Sequence, residues 1–301
     1  MPCMMYLSSA ITAMCRMIAI STGFIPAFPR KKTPADAESS TKAEEPISLD
    51  DLADIYRLNC HVEELGTGAC GEVSAYGEYV FKTQVDEERA LREASTMEHL
   101  KQNPSAVTYV GSFEVSEKYV IVMERMDCDL FTRLNMPYNP DCIMYICRDI
   151  LEALVNIHKA QVAHMDIKLE NILLRKDDKI KFCDFGFSKM GNEVRTMTQD
   201  SGTLEYIAPE IFNPDASYNG FYADVFSLGI VFHLMHLRKH LRKNVRMHTP
   251  GDFSVKAVLK KHESDYKNKQ FFDLVDWMTE DDPVCRPTAE EALITFDRII
   301  W

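Results

Sequence analysis

The sequence predicts an α+β protein of two lobes, the first small and β-rich around one main helix, the second larger and helical. Residues 60–124 read as short alternating strands broken by glycines, with a single amphipathic stretch at 86–102. Beyond residue 140, long apolar patterns at helical spacing replace that alternation. With 301 residues, 46% of them hydrophobic, the chain can bury a core in each part and leave a cleft between them.

The chain opens on "MPCMMYLSSAITAMCRMIAISTGFIPAFP", apolar except for Arg16 and closed by Pro26 and Pro29. It has the length of a membrane span, but Arg16 falls near its middle and no positive charge precedes it. The leading reading is a loosely packed tail; a membrane-associating segment and a targeting peptide are the less favoured alternatives. "RKKTPADAESSTKAEEPIS" (30–48) is polar and holds two prolines, the composition of a disordered linker. This assigns 1–48 to tail and linker. Structure is expected from Leu49, where Ser48 of "SLDDLADIYRL" can cap a short helix.

"HVEEL", "GEVSAYG" and "EYVFKT" then form a meander. In "DEERALREASTMEHLKQ", Ala90, Ala94, Met97 and Leu100 recur at helical spacing. "AVTYVGSFEVSEKYVIVME" returns to strands and completes a first lobe over 49–126. The second, 127–301, is carried by "CIMYICRDILEALVNIHKA", "ADVFSLGIVFHLMHL" and "FFDLVDWMTE".

Bulk chemistry narrows the function. A net charge of −12 suits basic peptides and argues against non-specific nucleic-acid binding. The nine cysteines form no C-x-x-C pair and are odd in number, so reduced thiols are expected, not a disulfide framework or a zinc site.

Three stretches bear chemistry. "GTGACGEV" spaces Gly66, Gly68, Gly71 and Val73 as G-x-G-x-x-G-x-V; a strand follows it, which excludes a dinucleotide-binding turn, and bare glycines let backbone N–H groups approach phosphate oxygens. Lys82 ends the next strand, and Glu93 shares the inward face of the following helix with Ala90, Met97 and Leu100. "HMDIKLEN" brings His164, Asp166, Lys168 and Asn171 together, and "KFCDFGFSK" brings Asp184 across one strand–turn–strand from Asn171. Hard oxygen ligands of that kind suit Mg²⁺.

These ordered motifs resemble those of eukaryotic-type protein kinases, over roughly residues 60 to 297. "SGTLEYIAPE" (201–210), "DVFSLG" (224–229), with Phe226 in the place of a tryptophan, and "RPT" (286–288) extend the likeness. "CDLFTRL" (128–134) and "SGTLE" (201–205) are similar to the herpesvirus serine/threonine kinases. The resemblance implies a bilobal protein-kinase-like fold that transfers the γ-phosphate of ATP, with Mg²⁺, to serine or threonine of basic protein substrates; a pseudokinase that only binds is the alternative. It implies a monomer in the cytoplasm or nucleus, of an infected host cell where the viral likeness holds.

The resemblance also assigns roles. Asp166 accepts or orients the hydroxyl proton, Lys168 neutralises the γ-phosphate, and Thr203 sits by the acceptor. Asn171 and Asp184 hold Mg²⁺, and Lys82 with Glu93 positions ATP. Met123 is the gatekeeper, Glu124 to Met126 the hinge for adenine, and Asp129 lies near the ribose. Glu170 faces the substrate peptide, and Cys70 and Cys183 face the nucleotide. Arg286 pairs with Glu210. Met165 replaces the arginine that contacts a phosphorylated activation segment, so Thr196, Thr198 and Ser201 are read as ordinary polar residues. "RKHLRKNVR" (238–246) reads first as a solvated loop and second as a nuclear-localisation patch.

Overall fold

The computed structural model describes residues 47–59, 61–68, 71–136, 142–176, 179–195, 203, 205–212, 217–237 and 255–300. The tail 1–29, most of the linker, Cys70, Thr196, Thr198, Ser201 and the basic stretch 238–246 lie outside the described residues.

Helix α1 (Leu49–Leu58) begins at Ser48, whose side chain accepts from Asp51 N, and ends at Asn59 in the left-handed conformation. Ser48 thus caps the helix as the sequence suggests, and Ile47 before it packs against the cluster of Leu52, Phe81, Val120 and Val122. Five antiparallel strands follow in the order β1-β2-β3-β5-β4: β1 (Glu63–Gly68), β2 (Gly71–Tyr76), β3 (Tyr79–Gln84), β4 (Tyr109–Val115) and β5 (Lys118–Glu124). Helix α2 (Glu87–His99) lies between β3 and β4 in sequence, N-capped by Asp86.

A small satellite cluster of Leu52, Phe81, Val120 and Val122 joins α1 to the sheet. The opposite face, through Val73, Val80 and Ile121, belongs to the main core with Ala94, Met97 and Leu100 of α2. The alternation along each strand divides these two layers.

The second lobe begins with strand β6 (Cys128–Asp129) and the short helix α3 (Leu130–Leu134). Helix α4 (Ile143–Lys159) leads to β7 (Val162–Ala163), and β8 (Ile172–Leu174) pairs with β9 (Ile180–Phe182) in a three-stranded sheet completed by β6. Strand β10 (Lys189–Met190) pairs with β7. Helices α5 (Gly220–Leu237), α6 (Val255–Lys261), α7 (Lys269–Met278) and α8 (Ala289–Ile300) complete the lobe. Among the described residues α5 alone is long and apolar enough to cross a membrane, yet most of it is buried in the protein. It is apolar on all sides because protein surrounds it.

Candidate active site

The loop 164–171 is held from beneath by one carboxylate. Asp224 of α5 accepts from His164 N at 2.7 Å and from Met165 N at 2.8 Å. This clamp fits a backbone that Met165 adopts at φ 67°, a left-handed conformation costly for a residue with a side chain. Asp166 N donates to His164 Nδ1 at 3.2 Å, so His164 Nε2 carries its proton and donates to Cys183 O at 2.9 Å. The imidazole thereby ties this loop to the strand end that carries Asp184, and its ring packs 4.9 Å from that of Phe185.

Around Asp166 the side chains converge. Lys168 Nζ donates to Asp166 Oδ2 at 2.7 Å and to Thr203 Oγ1 at 2.9 Å. Thr203 Oγ1 donates to Asp166 Oδ1 at 2.9 Å, and Asn171 Nδ2 donates to Asp166 O at 2.8 Å and to Oδ2 at 3.0 Å. The carboxylate is therefore fixed in rotamer and aimed by three neighbours. Burial alone would push the Lys168 ammonium down, but Asp166 and Asp184 hold it above the usual lysine value.

Lys82 lies opposite Val73 on β2 and Ile121 on β5. Its ammonium donates to Glu93 Oε1 at 2.7 Å, to Glu93 Oε2 at 2.8 Å and to Asp184 Oδ1 at 2.8 Å. Gln84 also donates to the fully buried Glu93 carboxylate, a partner the sequence reading lacked. Burial lowers the Lys82 pKa, yet Asp184 and Glu93 more than offset it and leave it raised. Burial likewise works against the charged form of Asp184, which Lys82, Arg89 and Lys168 nevertheless hold well below the usual carboxylate range. Asp184 too is left-handed, at φ 62°.

The β8–β9 register pairs Ile172 with Phe182, which brings Asn171 and Asp184 to the same end of one hairpin. Asn171 Oδ1 and Asp184 Oδ2 are both buried with no hydrogen-bond partner among the described residues. Two orphaned oxygen acceptors beside a lysine pair fit a hard cation bound through few protein ligands and substrate phosphates, the habit of Mg²⁺.

The glycine strand is linked to Lys82 through β2, where Val73 pairs with that lysine. Gly66 pairs with Val73, and Gly68 with Gly71. Gly71 has φ 125°, and a Cβ there would stand 1.6 Å from Thr83 O, so only glycine fits. At the lobe junction Met123 and Met126 are buried.

The Glu124 side chain is engaged within the protein: Oε1 accepts from Thr108 N at 2.6 Å and from Lys181, and Oε2 accepts from Arg175 at 3.2 Å. Asp129, expected beside the ribose, is enclosed at 0% exposure and caps α3 by accepting from Thr132 N at 2.5 Å. Cys183, expected to face the nucleotide, is buried with its thiol on Asn171 O, and burial pushes its pKa well up. Glu170 Oε2 is buried without a hydrogen-bond partner among the described residues, and burial pushes the carboxyl up to about 7 against the pull of Lys168.

Arg286 Nη1 and Nη2 each donate to Glu210 at 2.7 Å, a bidentate pair, and its guanidinium stacks 4.7 Å from the Phe226 centroid. The role of Asp224 was missed at the sequence level. A lone carboxylate inside an otherwise apolar helix was the available signal.

A bilobal fold with this cleft defines the class of protein, and the protein kinase domain family matches residues 61–295. The chain belongs to that family. It is 33% identical over 217 residues to serine/threonine-protein kinase pak-1 of Caenorhabditis elegans, covering 67% of this chain and 36% of that one. It is 32% identical over 205 residues to mitogen-activated protein kinase 13 of Arabidopsis thaliana, covering 60% and 56%, and 32% identical over 211 residues to misshapen-like kinase 1 of Rattus norvegicus, covering 61% and 15%. The chain thus spans between 15% and 56% of the length of these relatives.

Proposed function

We propose that the chain is an active serine/threonine protein kinase that transfers the γ-phosphate of Mg-ATP to protein hydroxyls. The observation that carries the proposal is the closed set Asp166–Lys168–Thr203. In a substrate complex the acceptor hydroxyl takes its place beside Asp166, which orients it and receives its proton. Lys168, freed from Thr203, meets the transferring phosphoryl group. Lys82, braced by Glu93, contacts the α- and β-phosphates under the backbone N–H groups of Gly66, Gly68 and Gly71. The main chain of Glu124 and Met126 receives adenine, since the Glu124 side chain is already engaged. Asn171 and Asp184, each with a buried oxygen that has no partner among the described residues, would hold Mg²⁺, and the ion would supply charge neutralisation to the phosphates.

The Lys168–Thr203 contact supports a serine or threonine acceptor, in keeping with the printed name of the nematode relative. Glu170, with a buried carboxylate oxygen that has no hydrogen-bond partner among the described residues, supports a basic residue upstream of the acceptor. The likeness of 128–134 and 201–205 to herpesvirus kinases supports a viral setting, and with it a place in the cytoplasm or nucleus of the host cell.

The test is phosphorylation of a peptide library by the purified chain with Mg-ATP. Labelled serine or threonine, enriched for upstream arginine, is the expected result. Tight ATP binding with no transfer to any peptide would replace this reading by that of a binding-only pseudokinase.

A further inference from the structure

Helix α2 meets the segment 184–188 along one face. Arg89, Glu93 and Thr96 stand at positions i, i+4 and i+7 of that face. Ser188 Oγ donates to Phe185 O at 2.6 Å, so the 2.8 Å contact between Thr96 and Ser188 has Thr96 as donor. Glu93 holds Lys82, which in turn reaches Asp184.

Arg89 makes the third attachment. Its Nη2 lies 3.6 Å from Asp184 Oδ1, and its Cζ lies 4.3 Å from the Phe187 centroid. Between those two residues, a Cβ on Gly186 would fall 2.5 Å from Arg89 Nε, so the guanidinium rests against the bare Cα of that glycine. One planar group thus touches residues 184, 186 and 187, a task that a lysine ammonium does not match. A cation in the first turn of a helix opposes the helix dipole, so helix stability does not account for an arginine there.

We propose that Arg89 is a positioning residue that docks α2 on residues 184–188, so that Glu93, Lys82 and Asp184 keep their arrangement without a phosphorylated activation segment. The inference rests on the kinase reading above and deepens it. It supplies what Met165 lacks: a cation that orders the segment from the α2 side, using a carboxylate and an aromatic ring where a phosphate would otherwise serve.

The test uses the full chain without nucleotide, read by amide hydrogen exchange over 87–99, in Arg89→Gln, Phe187→Leu, the double variant and Arg89→Lys. Exchange should quicken about tenfold in either single variant, with the double no worse than the singles, and Arg89→Lys should fall between wild type and Arg89→Gln. In a parallel arm, phosphatase-treated Arg89→Gln should show a raised KM for Mg-ATP with a smaller change in kcat. Unchanged exchange in Arg89→Gln, or additive losses in the double variant, would overturn the docking role and leave the kinase reading standing. The expected exchange effects in the variants, beside a wild-type chain that transfers no phosphate, would overturn the kinase reading and the regulatory meaning with it.

Discussion

Met165 is buried, left-handed and pinned through its N–H by Asp224. An arginine introduced there would bring a guanidinium into an enclosed place with no phosphate to meet it. Met165→Arg should therefore destabilise the unphosphorylated protein by about 1–3 kcal/mol, read as a lowered thermal midpoint; an unchanged midpoint would show that the site accepts a cation freely. Asp166→Asn removes the proton acceptor but keeps the main-chain hydrogen bonds of residue 166 that shape the loop. Its kcat should fall about 10²- to 10⁴-fold while nucleotide affinity stays close to wild type, and steady-state kinetics beside ATP titration separate the two. Glu170→Ala should reduce the preference for upstream arginine by about 10- to 150-fold in kcat/KM, the worth of one charged contact; equal slowing on basic and neutral peptides would count against the contact.

At the scale of elements, α1 lies ahead of the family match, which begins at residue 61, yet it closes the outer face of the sheet. Tyr56 Oη and Thr83 Oγ1 are 2.8 Å apart, and Thr83 follows Lys82 on β3. Leu52 is fully buried in that interface. Leu52→Ala should cost about 2–5 kcal/mol in chemical denaturation, and a cost near zero would mean that α1 is not docked in solution. The strands and main helices of both lobes were legible because glycines punctuate 60–124 and because 3.6-residue periodicity dominates the later segments. The inward turn of Glu93 was legible for the same reason: it shares a face with Ala90, Met97 and Leu100. What was not legible depends on surfaces meeting across the chain. Glu124 and Lys181 are 57 positions apart, and nothing local to "VMERM" says that the glutamate turns to the rear. Asp129 was placed near the ribose by resemblance alone; its position just ahead of "LFTRL" was the signal that it also caps a helix.

On the scale of the whole molecule, the two lobes share one apolar core and are joined by neutral hydrogen bonds, such as Phe182 N to Ser105 O at 2.8 Å, and by buried charged contacts. Lys82 from the sheet reaches Asp184 from the helical lobe, and α2 follows with Arg89 and Thr96. Below them, Asp224 of the central helix holds 164–165, and Arg286 locks Glu210. The site is thus assembled by ion pairs and hydrogen bonds among the described residues. The central claim is that this assembly is active as it stands. The most direct test is the rate of phosphate transfer from γ-labelled ATP to a serine peptide with an upstream arginine, measured on the purified chain before and after phosphatase treatment. The account predicts transfer at nearly the same rate in both samples. Activity that collapses on dephosphorylation and returns when Thr196, Thr198 or Ser201 is rephosphorylated would contradict it.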